Sequence, residues 1–467
     1  MKVTRRSFVK ASAAAIAGTQ AGFRSAAAGR KTQPNILLII TDQQFAGAMS
    51  CAGNRDLQTP AMDSLAAQGT RFQNAYCANP VCVPSRVSMF SGRMPHEMGV
   101  YKNIHPHPGI RNFPMLGRTL RDAGYDTGYV GKWHLLAREK EKDLHGFDYL
   151  STNKDGETPG ECAAFLNQDR DKPFFLVASF VNPHDICQWA RGDALVNGEI
   201  GDAPPPEACP ALPANHDIGA NEPGVIRQVQ AAYRERIYPT ADWTDGKWRQ
   251  YRWAYYRLIE LVDRRIGAVL DALRQSGLEE ETVVVFVSDH GDGAAAHHWN
   301  QKQVLYEEAT RVPLIISQKG RTRAGVVDGT QLVSTGLDLF PTLCDFAGAT
   351  PPAEIRGQSL RRIVETGERA PLRPYVVTET EFGEFTDTPP FAHTGPMGRM
   401  VRSARFKYVV YSEGEIREQL FDMEADPGEM ENLAVASEHA GALADHRRML
   451  QEWQAETRDD FPGIAPA

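Results

Sequence analysis

Short runs of consecutive apolar residues, each ending in polar residues, recur along the chain. The longest of these runs, at 34–40, 174–180 and 282–288, are rich in Val, Ile, Leu and Phe. Their length and β-branched content predict strands buried on both faces of a parallel sheet. Shorter strands are predicted at 126–130 and 312–316.

Helical patterns lie between these runs. Shorter helices are predicted from Thr59, from Cys82 and over 116–124, and a long one over 248–275 that Gly277 ends. One face of the long helix is apolar at helical spacing and carries Tyr255, Ile259, Val262, Ile266, Val269 and Leu273. Alternation of strands and helices indicates an α/β sheet with helices on both faces.

The last part of the chain has a different pattern. Residues 348–374 are rich in Pro and Arg, which is typical of a linker. Strands at 375–381 and 400–411 and a helix over 437–457 follow, and they predict a small α+β domain with an antiparallel sheet.

The 467 residues suffice for one large and one smaller domain. We place the catalytic domain at 34–360 and the small domain at 361–467. Within the large domain, the stretch 186–246 is irregular and is interpreted as a surface excursion that carries substrate contacts.

The N-terminus reads as a targeting segment that occupies residues 1–33 with a short linker. A twin-arginine pattern at 4–10 precedes a weakly apolar run at 11–18, and small residues at 26–28 offer a cleavage site. The run is too short to span a bilayer, so no stable membrane insertion is expected. The alternative is a basic disordered terminus. We predict export by the twin-arginine machinery and a periplasmic or secreted protein.

The net charge argues about binding partners, and the cysteine content argues about metal binding and disulfides. A net charge of −8 argues against nucleic acid as a partner. The seven cysteines are scattered without metal-ligand spacing, and an oxidising compartment permits disulfides without requiring them.

Residues 82–93 form the most informative stretch. Pro84 suits the first turn of a helix and Gly92 suits its end, so Cys82 is predicted at a helix N-terminus, where backbone N–H groups favour an anion. Arg86 lies one turn away and can reach the same point. Taken alone, Cys82 could equally be a buried thiol or the partner of Cys77 in a disulfide.

Polar residues follow three of the predicted strands. Asp42 and Gln43 end the first, His184 follows the second, and Asp289 and His290 follow the third. Sites in α/β sheets form at the carboxyl ends of strands, so these residues are expected to converge. Asp42, Gln43, Asp289 and His290 could hold Ca²⁺, with Mg²⁺ or Mn²⁺ as alternatives. Singly, each could instead be a helix cap or loop acid.

Several motifs together resemble the formylglycine-dependent (type I) sulfatases of the alkaline phosphatase superfamily. The Cys-x-Pro-Ser-Arg motif at 82–86 continues into Ser-Gly-Arg at 91–93. Matching segments follow in the family's order: 41–43, 131–134, 182–184, 288–291, Lys302 before 306–313, and 419–434. The resemblance implies a large mixed sheet flanked by helices, and oxidation of Cys82 to formylglycine (3-oxoalanine) by a formylglycine-generating maturation enzyme.

The resemblance also implies roles for the matching residues. Arg86, Lys132 and Lys302 would hold sulfate oxygens, His134 would contact the formylglycine hydroxyl, and His184 would lie near the leaving oxygen. Asp289 would act as base, and the segment 419–434 would be structural. Asn103 and His297 are candidate substrate contacts, although Asn103 could be a turn residue and His298 rivals His297.

Two positions depart from the common family pattern. Gln43 stands where many members have Asp, and His290 where many have Asn, which leaves the metal open with Ca²⁺ favoured. The resemblance predicts an exported sulfatase acting on a sulfated carbohydrate. Alternatives are a phosphonate or phosphate ester hydrolase of the same superfamily and a non-catalytic protein that binds sulfated glycans.

Overall fold

The structure is a computed structural model that describes residues 33–103, 108–135, 137–234, 237–383 and 395–462. The predicted leader lies outside the described residues, apart from residue 33. From Gln33 onward the chain forms one compact unit. No helix among the described residues is long and apolar enough to cross a bilayer.

The large sheet has eight strands in the order β4-β3-β5-β1-β6-β7-β2-β8. Only β7 runs antiparallel to its neighbours, so the sheet is mixed, as predicted. The strands are β1 (Asn35–Asp42), β2 (Thr70–Tyr76), β3 (Asp126–Gly131), β4 (Tyr149–Ser151), β5 (Phe174–Pro183), β6 (Thr282–Ser288), β7 (Leu314–Ser317) and β8 (Val326–Ser334).

Helices cover both faces of this sheet. They are α1 (Pro60–Gln68), α2 (Cys82–Ser91), α3 (Pro95–Met98), α4 (Leu116–Asp122), α5 (Lys142–His145), α6 (Thr158–Leu166), α7 (Ile186–Arg191), α8 (Gly224–Ala232), α9 (Asp245–Gln275), α10 (Glu307–Thr310), α11 (Thr335–Ala347), α12 (Arg361–Thr366) and α13 (Ala440–Thr457).

Every residue of the central strand β1 is buried, which explains its continuous apolar sequence. Because side chains alternate between the faces of a strand, Leu38 packs into the layer that contains α2 and α11. Its neighbours Leu37 and Ile39 pack into the opposite layer, against the apolar face of α9. All of α2 is buried, so the segment that begins with Cys82 lies inside the protein.

The register of the central strands brings the predicted polar residues to one edge. Asp42 of β1 pairs with Pro183 of β5, the residue before His184. On the other side, Thr41 pairs with Ser288 of β6, which precedes Asp289. The predicted convergence of strand ends is therefore confirmed.

A second sheet is antiparallel, in the order β12-β11-β10-β9. Its strands are β9 (Tyr375–Glu381), β10 (Met397–Ser403), β11 (Phe406–Tyr411) and β12 (Glu418–Asp422), and α13 packs against it. This confirms the small antiparallel sheet. The placement of the domain boundary at 360 remains a prediction.

Several predicted boundaries were wrong. The stretch 400–411 contains two strands, β10 and β11, because residues 403–406 turn the chain. Residues 186–246 contain α7 and α8, and α9 begins at Asp245, where Thr244 caps it by accepting a hydrogen bond from the Lys247 N–H. The region 348–374 contains α12.

The turn after β3 requires glycine at position 131. Gly131 has φ +96°, and a Cβ there would lie 1.9 Å from the carbonyl oxygen of Ser179. This close approach lets the Lys132 N–H donate to the same carbonyl, at 2.9 Å. Position 131 therefore sets where Lys132 leaves the sheet.

Replacement of Gly131 by Ala is expected to destabilise the protein more than the same change at Gly124. Gly124 has φ +94° but nothing lies within 4 Å of an added Cβ. We expect Gly124→Ala to lower the free energy of unfolding by about 1 kcal/mol through backbone strain. We expect Gly131→Ala to lower it by about 3 kcal/mol, because a clash adds to the strain. Urea denaturation measures both, and equal losses would contradict this account of position 131.

Candidate active site

Cys82 is the first residue of α2, as predicted. Its side chain is fully buried, and Gly92, with φ +68°, ends the helix. The N–H of Val83, which a helix leaves without an intrahelical partner, donates to Oδ1 of Asn103 at 2.9 Å. Asn103 thus holds the first turn of α2 beside the thiol, and its contact with substrate stays a prediction.

Two ammonium groups converge on the Cys82 thiol. Nζ of Lys302 lies 3.0 Å and Nζ of Lys132 lies 3.9 Å from Sγ. Burial disfavours a thiolate, but the positive charges of Lys132 and Lys302 outweigh it, and the pKa of Cys82 is held well below its ordinary value. The site therefore stabilises negative charge at this position.

The alternative of a disulfide with Cys77 is excluded. All seven cysteines are free thiols. Burial raises the pKa of Cys77, and its Sγ lies 3.9 Å from the carbonyl oxygen of Ala309. Cys77 is an inert core residue, which leaves Cys82 as the reactive thiol beside the two lysines.

Arg86 joins the two carboxylates at the strand ends. Its Nε donates to Oδ2 of Asp289 at 2.7 Å, and its NH2 group lies 3.3 Å from Oδ2 of Asp42. A further N–H donates to Oγ of Ser179 at 2.8 Å. None of the three charged side chains is exposed to solvent, so Arg86 compensates charges that would otherwise be buried without a partner.

The two carboxylates have opposite protonation tendencies. Burial and the neighbouring Cys82 oppose ionisation of Asp42, but the ammonium of Lys132, 2.5 Å from Oδ2, keeps its pKa below the ordinary value. Burial and the negative charge of Asp42 raise the pKa of Asp289 to about 7. A cation bound between the carboxylates would favour the ionised form of both.

The donor set fits a divalent cation. Ligand atoms of Asp42, Cys82, Asp289 and His290 lie within 4.8 Å of one another. Nε2 of His290 is 3.8 Å from Oδ1 of Asp42 and 3.7 Å from Oδ1 of Asp289. The Nδ1 of His290 lies 2.9 Å from the carbonyl oxygen of Gly291, which places the proton on Nδ1 and leaves the Nε2 lone pair for a metal.

Gln43 lies next to this group, and its side-chain amide contacts Asp292 and Cys187. Its Nε2 donates to Oδ2 of Asp292 at 2.8 Å and lies 3.4 Å from Sγ of Cys187. Its backbone N–H donates to Oδ1 of Asp289 at 3.1 Å. Gln43 thereby orients a carboxylate of the cation site, and its own role as a ligand stays a prediction.

His134 and His184 reach Cys82 from two other strand ends. Both imidazoles lie close enough to Cys82 for its side chain to raise their pKa in part. Burial and the nearby lysines lower the pKa of both imidazoles, that of His184 to about 4. Both are therefore neutral at pH 7. Nδ1 of His134 has no hydrogen-bond partner, so this buried atom is available to a ligand.

Asp155 supports the loop that carries His184 and was missed by sequence reasoning. Its carboxylate accepts the N–H groups of Val181 at 2.6 Å and Asn182 at 2.9 Å. The guanidinium of Arg265 lies 3.4 Å from the same group. An acid in a loop between β4 and α6 carries no sequence signal for this contact, because the partner is 26 residues away.

His297 lies apart from the group around Cys82. Its ring stacks on Tyr306 with centroids 3.8 Å apart, and its N–H donates to the carbonyl of Asn215 at 2.7 Å. The rival His298 packs on His216, with ring centroids 4.2 Å apart. These contacts hold both imidazoles against Tyr306 and His216, and the predicted substrate contact of His297 remains a prediction.

Comparison of the sequence and the structure with known proteins identifies the family. The profile described as Sulfatase matches residues 34–349, about two thirds of the chain. The chain belongs to the sulfatase family. A second profile, N-sulphoglucosamine sulphohydrolase, C-terminal, matches residues 295–456. The protein is accordingly a hydrolase of sulfate esters, and the predicted alkaline-phosphatase-like fold is confirmed.

Individual relatives cover nearly the whole sulfatase chain. A Delta 4,5-hexuronate-2-O-sulfatase of Bacteroides thetaiotaomicron is 33% identical over 94% of this chain and 92% of its own. A solved 2-O GAG sulfatase is 31% identical with a TM-score of 0.81, covering 93% of this chain and 95% of that one. A phosphonate monoester hydrolase of Agrobacterium radiobacter, at 23% identity and a TM-score of 0.73 over 91% and 96% of the chains, shares the fold.

We expect divalent cations to stabilise this sulfatase through Asp289. Ligand at about a hundredfold excess over its Kd raises the free energy of unfolding by about 2.7 kcal/mol. Asp289→Asn keeps the shape of the side chain but removes a charge, so it is expected to lose most of that gain. The measurement is denaturant unfolding in EDTA and then with added Ca²⁺, Mg²⁺ or Mn²⁺, each variant being referred to its own EDTA value.

Asp459→Asn is the matched control for this experiment. Asp459 also lies with an imidazole and a carboxylate, His96 and Glu379. Both of its oxygens are already bound by Arg399 at 2.7 Å, so no cation is expected there. Equal loss of cation stabilisation in the Asp289 and Asp459 variants would contradict the assignment of the cation to the strand ends.

Proposed function

We propose that this sulfatase is exported and removes sulfate from a sulfated carbohydrate, with Cys82 oxidised to formylglycine and a divalent metal at the strand ends. One observation supports this most strongly. The buried Cys82 side chain lies at a helix N-terminus, and the ammonium groups of Lys132 and Lys302 contact it. Its Sγ lies within 4.8 Å of ligand atoms of Asp42, Asp289 and His290. This is a cup for a tetrahedral anion beside a cation.

The proposed substrate class rests on the relatives. The two that resemble this chain most closely among those described above are named for hexuronate 2-O-sulfate and for 2-O GAG sulfate. Both are sulfated carbohydrates, and both align over more than nine tenths of this chain. We therefore assign this enzyme to sulfated carbohydrate as a class, without choosing the sugar.

The proposed mechanism follows from the charges around residue 82. A sulfate monoester places negative charge on its non-bridging oxygens, and Lys132 and Lys302 flank the position where these oxygens would lie, while Arg86, held by Asp42 and Asp289, adds its positive charge close to Cys82. Asp289, which a bound cation would keep ionised, can take a proton from the nucleophile. Fixed charges of this kind bind the sulfate in one orientation before the S–O bond breaks.

The leaving alcohol requires a proton, and two groups can supply it. Lys302 is charged and close to Cys82 Sγ, at 3.0 Å. His184 is the second candidate for this site, but with a pKa of about 4 it is neutral and must first take a proton. Lys302 is therefore the better donor to the departing oxygen, while His184 orients it.

Formylglycine at position 82 and the metal have separate tasks in this mechanism. Hydrated formylglycine would supply a nucleophilic oxygen and a second hydroxyl. His134, whose imidazole is neutral and close to residue 82, would accept the proton of that hydroxyl as sulfate leaves. A metal held by Asp42, Asp289 and His290, with Gln43 as the fourth predicted ligand, supplies positive charge for the nucleophile and the sulfate oxygens. The two carboxylates suit Ca²⁺, which we favour, or Mg²⁺, and the imidazole admits Mn²⁺ as well.

Maturation and export are part of the same proposal. The motif at 82–86 is the segment that a formylglycine-generating enzyme would oxidise, and this oxidation must occur before α2 becomes buried, because no residue of α2 is exposed in the folded protein. The twin-arginine pattern at 4–10 supports export to the periplasm or beyond.

Oxidation of Cys82 can be tested directly. After co-expression with the maturation enzyme, mass spectrometry of the peptide spanning residue 82 is expected to show loss of the thiol and gain of an aldehyde. Cys82→Ala is expected to lower kcat/KM for an aryl sulfate by about 10³-fold or more, because the nucleophile is lost. Cys51→Ala, which removes a thiol on another loop, is the control and should keep wild-type turnover. Full activity of Cys82→Ala would eliminate the covalent mechanism.

The choice between sulfate and phosphoryl substrates is testable with matched esters. We expect the oxidised enzyme to hydrolyse 4-nitrophenyl sulfate with kcat/KM at least about tenfold higher than the corresponding phenylphosphonate or phosphodiester. A panel of defined sulfated oligosaccharides, assayed for released sulfate, then identifies the sugar. A preference for the phosphonate would transfer the enzyme to the rival hydrolase class, and sulfate release from no sugar in the panel would overturn the proposed substrate class.

A further inference from the structure

Lys247 is a half-buried ammonium without a counter-ion. It lies in the first turn of α9, where Thr244 accepts its backbone N–H. No Asp or Glu among the described residues lies within 4.0 Å of its Nζ. Burial without a compensating negative charge lowers the pKa of this group. An anion brought to Lys247 would therefore regain an interaction that the protein itself does not supply.

Two half-buried indoles surround this ammonium. Nζ of Lys247 lies 4.1 Å from the ring centroid of Trp189 and 5.8 Å from that of Trp243. The two indoles are nearly perpendicular, with centroids 6.4 Å apart. Neither indole N–H donates a hydrogen bond to a described residue, and neither is a buried unpaired group, so both remain open to a ligand.

The indoles are held rigidly from behind. Trp243 packs edge-to-face on the buried Trp248, with centroids 4.8 Å apart. Tyr251, also buried, lies 5.5 Å from Trp243 and 6.2 Å from Trp189 between ring centroids. Aromatic side chains fixed in this way contact a ligand with little loss of conformational entropy.

This aromatic group adjoins the site around Cys82. Trp189 lies on α7, which begins two residues after His184, and Cys187 of the same helix lies 3.4 Å from Nε2 of Gln43. From the other side, the Tyr251 hydroxyl donates to Asp292 at 2.9 Å, and Asp292 accepts the amide of Gln43. Cys187, Tyr251 and Asp292 thus connect α7, which carries Trp189, and α9, which carries Lys247, to Gln43, a predicted cation ligand.

We propose that Trp189, Trp243 and Lys247 form a subsite for a second sugar ring that carries its own anionic group, either a carboxylate or a further sulfate. The inference rests on the proposed function and deepens it, because it requires a charged oligosaccharide next to the sulfate that is cleaved. An indole face packs against the C–H groups of a sugar ring, the indole N–H groups meet its hydroxyls, and the ammonium meets the anion. The flexible stem of Lys247 lets its charge move from the face of Trp189 towards the anionic group, which frees that face for the sugar ring.

The test is product binding, which needs no turnover. Three disaccharides serve as probes: a neutral N,N′-diacetylchitobiose, an unsaturated hexuronate–glucosamine disaccharide, and the same disaccharide with a 6-O-sulfate on glucosamine. Binding is followed by calorimetry and by quenching of tryptophan fluorescence. We expect the acidic probes to bind wild-type protein more tightly than the neutral one, with a Kd that rises with ionic strength. The tighter of the two acidic probes identifies the anion.

Lys247→Met is the decisive variant. Met keeps most of the stem that packs on Trp189 but removes the charge, and we expect the Kd of the acidic probes to rise about tenfold and to lose its salt dependence. Lys247→Arg should restore acidic binding, and Trp189→Leu should weaken all three probes and reduce the quenching. Lys319→Met is the matched control. Lys319 follows the C-terminal end of β7, and its Nζ forms an ion pair with Glu279 at 2.9 Å.

The outcomes separate the two proposals. Unchanged Kd values in Lys247→Met, or wild-type protein that binds none of the probes, would overturn the subsite. Sulfate release from oligosaccharides by the wild-type enzyme, measured in parallel, reports on the proposed function alone. Thermal unfolding of each variant confirms that the binding changes do not come from loss of the fold.

Discussion

The ion pairs between Arg86 and the two strand-end carboxylates are the interaction on which the site and the fold both depend. Asp42 and Asp289 lie on neighbouring strands and are closed to solvent. Two buried carboxylates without a partner are strongly destabilising, typically by several kcal/mol per ion. Arg86 compensates them only when α2 lies directly against the carboxyl ends of β1 and β6. The contact that stabilises this packing therefore also places Cys82 beside the cation ligands.

The positive charge around Cys82 follows from the same arrangement, because two ammonium groups approach its thiol. Arg86 is fully engaged with the carboxylates, whereas Lys302 reaches the thiol from a loop beyond β6. Lys132 bridges the two sides, 2.5 Å from Asp42 and 3.9 Å from Cys82 Sγ. A metal drawn to Asp42 would compete with Lys132 for that carboxylate. Its binding would leave the ammonium of Lys132 free to contact a sulfate oxygen.

The small antiparallel sheet and the loop after it contact the residues that follow Lys302. Glu429 accepts the N–H of Glu307 at 2.7 Å, and the buried Lys407 lies between the two carboxylates, 3.2 Å from Glu307 and 2.7 Å from Glu429. The hydroxyl of Thr380 donates to the carbonyl of Gln303, the residue after Lys302. Thr380 and Lys407 of the small sheet, together with Glu429 of the segment that resembles the family's structural motif, thus hold the chain that follows Lys302.

The chain of apolar runs was enough to predict the central strands, because a strand buried on both faces has a continuous apolar sequence that few other structures share. It was also enough to predict Cys82 at a helix N-terminus, since Pro84 and Gly92 are local signals that act through the backbone. The edge strand β8 and its neighbour β2 were missed. Their residues are partly exposed and mixed in character, and only pairing with a neighbour 250 residues away makes them strands.

Residue types and strand ends therefore specified which groups meet around Cys82, because parallel strands must finish at a common edge. The structural role of each individual residue was decided by three-dimensional packing. Asn103 became a cap for α2, Asp155 a support for the His184 loop, and His297 a partner of Tyr306, because contacts between distant segments leave no periodic trace in the sequence. The same holds for Lys247, because only the folded structure shows that no described carboxylate lies beside its ammonium.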